Sequence, residues 1–353
     1  MLEGSPGIGK TSLVEALAVK LNKKITRINL SDQTDIADLF GADLPVEGGE
    51  AGHFQWRNGP FLNAMEQGSW ILLDELNLAS QSILEGLNAV FDHRNEVFIP
   101  ELNRTFPLHP DTKIFACQNP ISEGGDRKGL PKSFLNRFSK IFMSGLCDKD
   151  FSVICHSLHP NLSHDLIKKM VQFSSTLEKE IVKKKLWGHV GGPWEFNLRD
   201  LLRWCQALQT DKEMSPGIWV NIIYIAKMRN LADSRKMCEI YREIFEPQYP
   251  LVTMSGNTLL SLDHLYVGNF SLKRKRDVSG SAFSEAQSQL LLSGQGATLE
   301  MMAGCVSQGW PILLTGHSQA GKTALVHTLA SLTNMEVIKG EFYLFLTSIK
   351  VAL

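Results

Sequence analysis

Apolar residues along this chain fall into short runs and helical stripes separated by polar loops. Leu13, Leu17 and Leu21 recur at every fourth position, a spacing that predicts a helix over residues 12–21. Trp70-Ile71-Leu72-Leu73 and Ile114-Phe115-Ala116-Cys117 are short and nearly continuous, the pattern of strands buried on both faces of a parallel sheet. Ile141-Phe142-Met143 and Trp310-Pro311-Ile312-Leu313-Leu314-Thr315 predict two further strands. Between residues 38 and 60 the alternation breaks at glycine-rich turns, which predicts a β-hairpin interrupting a helix. Residues 150–245, rich in Leu, Ile and Trp, predict a helical region. The fold class is α/β, with helices following the sheet.

Chemistry begins at the first residues. Gly4-Ser5-Pro6-Gly7-Ile8-Gly9-Lys10-Thr11 satisfies G-x-x-x-x-G-K-[ST], and Ser12 opens the helix that follows. Glycines let the backbone curl so that successive N–H groups face phosphate oxygens. Lys10 adds a point charge for the β- and γ-phosphates, and the Thr11 hydroxyl can ligate Mg²⁺. The plainer alternative is a glycine-rich turn before a helix. The full eight-residue pattern weighs against it.

The strand at residue 70 ends in Asp74-Glu75, at the carboxyl edge where α/β sheets bind ligands. Asp74 is the candidate to hold Mg²⁺ through water, and Glu75 the candidate to polarise an attacking water. The next strand ends in Gln118-Asn119-Pro120, where Asn119 can sense the γ-phosphate. Arg137 follows the short helical segment Leu130-Pro131-Lys132-Ser133-Phe134-Leu135-Asn136. A guanidinium suits a transferring phosphoryl group, although an arginine taken alone here is better explained by the surface, and its weight comes from its order in the chain. No N-K-x-D motif is present, since Asn22-Lys23-Lys24-Ile25 lacks the acid, so ATP is expected rather than GTP.

A second loop, Gly316-His317-Ser318-Gln319-Ala320-Gly321-Lys322-Thr323, repeats the pattern 312 residues after the first, with Leu325 and Leu329 in the helix behind it. Phosphate loop, Asp-Glu strand, Asn strand and Arg helix, in that order, resemble the AAA+ ATPases. The hairpin resembles their dynein-related and MoxR-like branch. Residues 2–13, 61–93 with Gly68-Ser69-Trp70 and Asn77-Leu78-Ala79-Ser80-Gln81-Ser82, and 129–138 are most similar to the giant dynein-related ATPases of large-ribosomal-subunit maturation. The likeness is dense over residues 2–143, weaker through the helical region, and returns at the second loop.

That resemblance implies an AAA+ core over residues 1–145 and a helical lid over 146–245. An inter-module linker over 246–296 and a truncated second P-loop unit over 297–353 would follow. Arg199, in Asn197-Leu198-Arg199-Asp200-Leu201-Leu202-Arg203-Trp204, would be the lid arginine that reaches the γ-phosphate, with Arg203 as the alternative. Arg137 would act on a neighbouring module's nucleotide. The cofactors implied are ATP and Mg²⁺. The implied partners are neighbouring AAA+ modules of the same parent chain and, through the parent, pre-60S ribosomal particles and their assembly factors, in the nucleus and nucleolus. Two alternatives stay open: a non-hydrolysing structural nucleotide-binding module of such a ring, and a MoxR-like chaperone or chelatase subunit, which the second loop disfavours.

Composition alters little of this. At 353 residues the length suggests about two domains, but the repeat suggests one module and the start of another. Thirty-six Lys+Arg against 37 Asp+Glu give a net charge of −1, which argues against direct sequence-specific nucleic-acid binding. Six scattered cysteines without a C-x-x-C pair and the lack of a bilayer-length apolar run predict a soluble, intracellular chain with no membrane partner. Cys155, His156, His159 and His164 match no standard zinc spacing and suit ordinary lid surface and core. Lys183-Lys184-Lys185 suits an exposed helix face. Lys273-Arg274-Lys275-Arg276 suits an import signal, a phosphate patch or a solvated turn before the Gly/Ser-rich stretch 279–281. Only Met1-Leu2-Glu3 precede Gly4, so the loop's leading strand, a central sheet position, is expected to be missing. Thirty residues follow Thr323, too few for a second Asp-Glu strand, and Gly340-Glu341-Phe342-Tyr343-Leu344-Phe345-Leu346 departs from the family's continuation. Both ends are expected to be cut.

Overall fold

The computed structural model describes residues 1–45, 54–120, 129–211, 214–275, 293–338, 340–342 and 351–352. His53, Arg276 and the stretch 279–281 lie outside the described residues, as does most of 340–346. The chain forms two compact units, Met1–Cys147 and Asp148–Leu353.

The first unit is built on five parallel strands: β1 (Leu2–Glu3), β2 (Ile25–Asn29), β5 (Trp70–Asp74), β8 (Ile114–Gln118) and β9 (Ile141–Phe142). Their order is β2-β5-β8-β1-β9. All five residues of β5 are buried, as a near-continuous apolar run requires. Alternation then sorts its side chains. Leu72 packs with Leu2, Val14 and Cys117 on one face, whereas Ile71 and Leu73 join Phe61, Ile83 and Leu87 on the other. The sheet position expected to be missing is held by two residues, Leu2 and Glu3, which pair in parallel with both β8 and β9.

Helix α1 (Lys10–Lys20) covers the Leu72 face, with Val14 and Ala18 buried. The stripe Leu13, Leu17 and Leu21 that marks this helix in the sequence is exposed instead. A four-residue spacing fixes which residues share a face, but the sheet selects the face one position further on. The predicted hairpin is present: β3 (Gly41–Pro45) pairs antiparallel with β4 (Phe54–Asn58), between α2 (Ile36–Phe40) and α3 (Pro60–Glu66). Helix α4 (Gln81–Val90) and the hairpin of β6 (Glu96–Ile99) with β7 (Arg104–Pro107) lie between β5 and β8 in the chain. Helix α5 (Lys132–Leu135) precedes β9.

The second unit opens with helices α6 (Asp148–Leu158), α7 (His164–Leu177), α8 (Leu198–Thr210), α9 (Pro216–Ile223) and α10 (Leu231–Phe245). Aromatic rings fill their core: Phe173 meets Trp204, Tyr224, Tyr241 and Phe245 edge-on, and Tyr241 stacks on Phe245 at 4.4 Å. Trp219 is buried against Phe270 and Trp310, while Trp187 and Trp194 give their indole N–H groups to Glu180 and the Gly188 carbonyl. Cys155 turns into this core and shares a hydrogen bond with Cys205, and His159 Nδ1 lies 2.6 Å from Gln209 Oε1. Lys183, Lys184 and Lys185 are exposed.

After the lid, β10 (Thr258–Leu260), β11 (His264–Val267) and β12 (Phe270–Lys273) form an antiparallel sheet. The buried Glu300 carboxylate, on the helix Gly296–Ser307, accepts the Gly256 N–H, the Asn269 N–H and the Asn269 amide. Arg274 departs from a solvated basic run. It is buried, donating to the Ser261 and Leu332 carbonyls and to Asn334 Oδ1, at the end of the helix Lys322–Thr333. The strand expected over residues 310–315 does not form. A strand needs a ladder partner, and Leu313 is exposed, without one among the described residues.

Leu72→Ala should lower unfolding free energy by about 2–5 kcal/mol, because it removes a side chain buried on the covered sheet. Leu17→Ala should change it by no more than about 0.5 kcal/mol. Urea unfolding of the two variants checks which side of α1 faces the sheet.

Candidate nucleotide site

The phosphate loop connects β1 to α1. Gly9 stands at φ 87° as the residue before α1, a left-handed conformation that glycine adopts without a steric cost. A Cβ on Gly4 would run into the Ile8 side chain and the Met143 carbonyl oxygen. The resulting curl folds Lys10 back over its own loop. Its Nζ donates to Gly4 O at 2.6 Å, Ser5 O at 2.9 Å and Asn119 Oδ1 at 2.7 Å. Lys10 is 8% exposed, so these oxygens stand in for the water it has lost.

Asn119 is the hub of the strand ends. Besides accepting from Lys10, it donates its amide to Glu75 Oε1 at 3.0 Å, and its backbone carbonyl accepts the Asn77 amide at 2.9 Å. Glu75 has φ 55°, left-handed for a residue with a Cβ. Such a conformation costs of order 1 kcal/mol and persists where the surroundings hold it. Here the β5 end and Asn119 do so.

Asp74 is buried beside Thr11. Thr11 Oγ1 donates to Asp74 Oδ2 at 3.1 Å, and Arg27, from β2, reaches the same oxygen at 2.6 Å. A hydroxyl and a carboxylate together are the hard oxygen donors that Mg²⁺ takes, so these residues fit the ion. Below them, burial and then the Asp74 charge push the Cys117 thiol up to about 11.

The structure thus brings together Gly4, Ser5, Gly9, Lys10, Thr11, Asp74, Glu75 and Asn119, with Pro6, Gly7 and Ile8 in the loop and Ser12 in the first turn of α1. It holds Arg137 elsewhere. Arg137 donates to the Asn88 carbonyl and pairs with Asp92 at 3.5 Å, beyond α4, braced by the Phe91–Phe134–Phe138 ring cluster. Arg199 and Arg203 belong to the second unit, both exposed on α8. Asn197 caps that helix by accepting the Arg199 N–H, and Lys227 pairs with Asp200 at 2.8 Å. At the second loop, Lys322 Nζ donates to Gly316 O and His317 O, with Gly321 at φ 79° and Thr323 exposed.

Residues 1–138 match the AAA domain of the dynein-related subfamily, and residues 150–247 match the midasin AAA lid domain. The chain is 41% identical to midasin of Dictyostelium discoideum over 94% of its length, and 35% identical to midasin of Giardia intestinalis over 96%. The chain belongs to the midasin branch of the dynein-related AAA proteins. It spans only 6% and 7% of those two relatives. An uncharacterised protein of Staphylococcus epidermidis is 31% identical over 50% of the chain and 67% of its own length. In this midasin-type AAA+ module the parallel sheet with its lid is the family's P-loop architecture, and among the described residues no helix is long and apolar enough to cross a membrane.

Sequence reasoning missed two residues of the site, Arg27 and Asn77. Arg27 shares the β2 face that lies beside Asp74, a diagonal visible only once the register Arg27↔Leu72 is known. Asn77 is 1% exposed, and the sequence marks it only as the start of a stretch that carries the family resemblance, without a role.

Raising the Cys117 pKa above its ordinary value of 9.0 means that folding favours the neutral thiol. That contribution is complete below pH 9 and disappears as pH rises towards about 11. At pH 8 iodoacetamide should therefore label the exposed Cys147 and spare Cys117 until denaturant is added, as peptide mapping would show.

Proposed function

We propose that this chain is an ATP-binding and ATP-hydrolysing AAA+ module of a tandem-module ring motor. The observation that carries the proposal is the continuous chain Lys10–Asn119–Glu75, which joins the phosphate loop to a carboxylate through one amide. Loop N–H groups and Lys10 hold the phosphates. Glu75 takes a proton from the attacking water, and Asn119 fixes that carboxylate and reports whether the γ-phosphate is in place. Thr11 and Asp74 would hold Mg²⁺, whose charge neutralises phosphate oxygens when it is bound. Arg199 is assigned to the γ-phosphate from the lid, with Arg203 as the alternative.

Arg137 serves a neighbouring module's nucleotide in this reading, and its anchorage to Asn88 and Asp92 supports that assignment. The first site then depends on an arginine from another module. In GTPases the corresponding loss slows hydrolysis about 10³–10⁵-fold, so this chain alone binds ATP but turns it over slowly. Through the midasin likeness, the parent motor is assigned to the nucleus, releasing assembly factors from pre-60S particles. For the second loop, a purely structural nucleotide role stays the alternative reading, with Lys322 held by its own loop carbonyls.

Glu75→Gln should leave ATP binding within about twofold and lower single-turnover hydrolysis at least about 10²-fold, the usual weight of a general base. Hydrolysis unchanged by the substitution would contradict the role of Glu75. Turnover by the unmodified chain at the rate of an assembled ring would contradict the dependence on a neighbour's arginine.

A further inference from the structure

Asp74 carries more positive company than a metal-holding carboxylate needs. Arg27 lies on β2 in register with Leu72, and strand alternation places its side chain on the same face as Asp74. Its guanidinium approaches Asp74 Oδ2 to 2.6 Å. Thr11 Oγ1 lies 3.1 Å from that same oxygen. The other oxygen, Oδ1, accepts the Glu75 N–H at 3.2 Å. A cation seated beside Thr11 therefore meets a carboxylate whose facing oxygen already holds a charged donor.

The two partners differ in freedom. The Arg27 side chain is 53% exposed and that of Asp74 is 11% exposed. Asp74 is fixed in the strand end, while the guanidinium can swing into water at little cost, since a half-exposed pair contributes only modestly.

Building on the ATP reading of this site, we propose that Arg27 competes with the divalent cation for Asp74 and so sets the metal requirement of nucleotide binding. Metal entry and Arg27 release are one exchange at a single carboxylate oxygen, because two cations within a few ångströms repel each other. Without metal, Arg27 neutralises Asp74 and spares the incoming phosphates the repulsion of a bare carboxylate. With metal, it gives way. Arg27 is thus a positioning residue that acts through Asp74.

The two halves of the proposal predict opposite shifts from one substitution, a signature that simple loosening of the strand would not produce. The test titrates a fluorescent ATP analogue onto the full 353-residue chain, first in EDTA and then over a series of Mg²⁺ concentrations. Arg27→Gln should lower the half-saturating Mg²⁺ concentration about two- to fivefold and weaken binding in EDTA by a similar factor. Arg27→Lys should lie between Arg27→Gln and the unmodified chain, and it also serves if the glutamine variant fails to fold. In an Asp74→Asn background the effect of Arg27→Gln should vanish. A Mg²⁺ midpoint that stays fixed or rises in Arg27→Gln overturns the proposal while leaving the ATP reading intact. Failure of the unmodified chain to bind the analogue at any Mg²⁺ concentration overturns the ATP reading, and this proposal with it.

Discussion

An ammonium group withdrawn from water must be given oxygen atoms, and the first unit is arranged around that demand. Lys10 receives two from its own loop and a third from Asn119. The third is the consequential one, because it ties α1 to the end of β8. Asn119 then passes the constraint to Glu75 through its amide and is steadied by Asn77 through its carbonyl. The strand order follows the same logic. β8 lies between β1, which leads into the loop, and β5, which ends in Asp74. All run parallel, so their carboxyl ends open on one edge, where α/β sheets place their ligands.

The second loop separates what is local from what is tertiary in this arrangement. Lys322 folds back onto Gly316 O and His317 O just as Lys10 folds onto Gly4 O and Ser5 O. Gly321, like Gly9, stands in the left-handed region. The same eight-residue pattern therefore gives the same curl at both loops. The sheet adds the chemistry: a carboxylate beside the hydroxyl, an amide beside the ammonium and a second carboxylate behind the amide.

Most of the site was legible in the sequence because its signals are short-range. The glycine spacing, the buried run into Asp74-Glu75, the run into Asn119 and the hairpin before residue 60 each state a local conformation. Features that depend on a partner were not legible. The stripe Leu13, Leu17 and Leu21 indicated a helix correctly, yet the sheet buries Val14 and Ala18. Residues 310–315 look like a strand, but none of the described residues offers them a ladder. Arg274 sits in a basic run and is nonetheless buried, because β12 carries it to the end of the helix Lys322–Thr333. Arg27 was invisible for the same reason: its partner is set by register, and register is a property of two strands. The resemblance to AAA+ ATPases supplied the order of the parts, while the hydrogen bonds supplied their connection.

The claim on which everything else rests is that the buried Lys10 ammonium is the anchor for nucleotide. Equilibrium binding of ATP to Lys10→Ala, with circular dichroism to confirm folding, tests it most directly. The first site's affinity should fall by at least about 10²-fold, as expected when a charged hydrogen-bond donor to phosphate is removed, while Lys322→Ala leaves that site unchanged. Affinity at the first site that survives Lys10→Ala intact would contradict that claim.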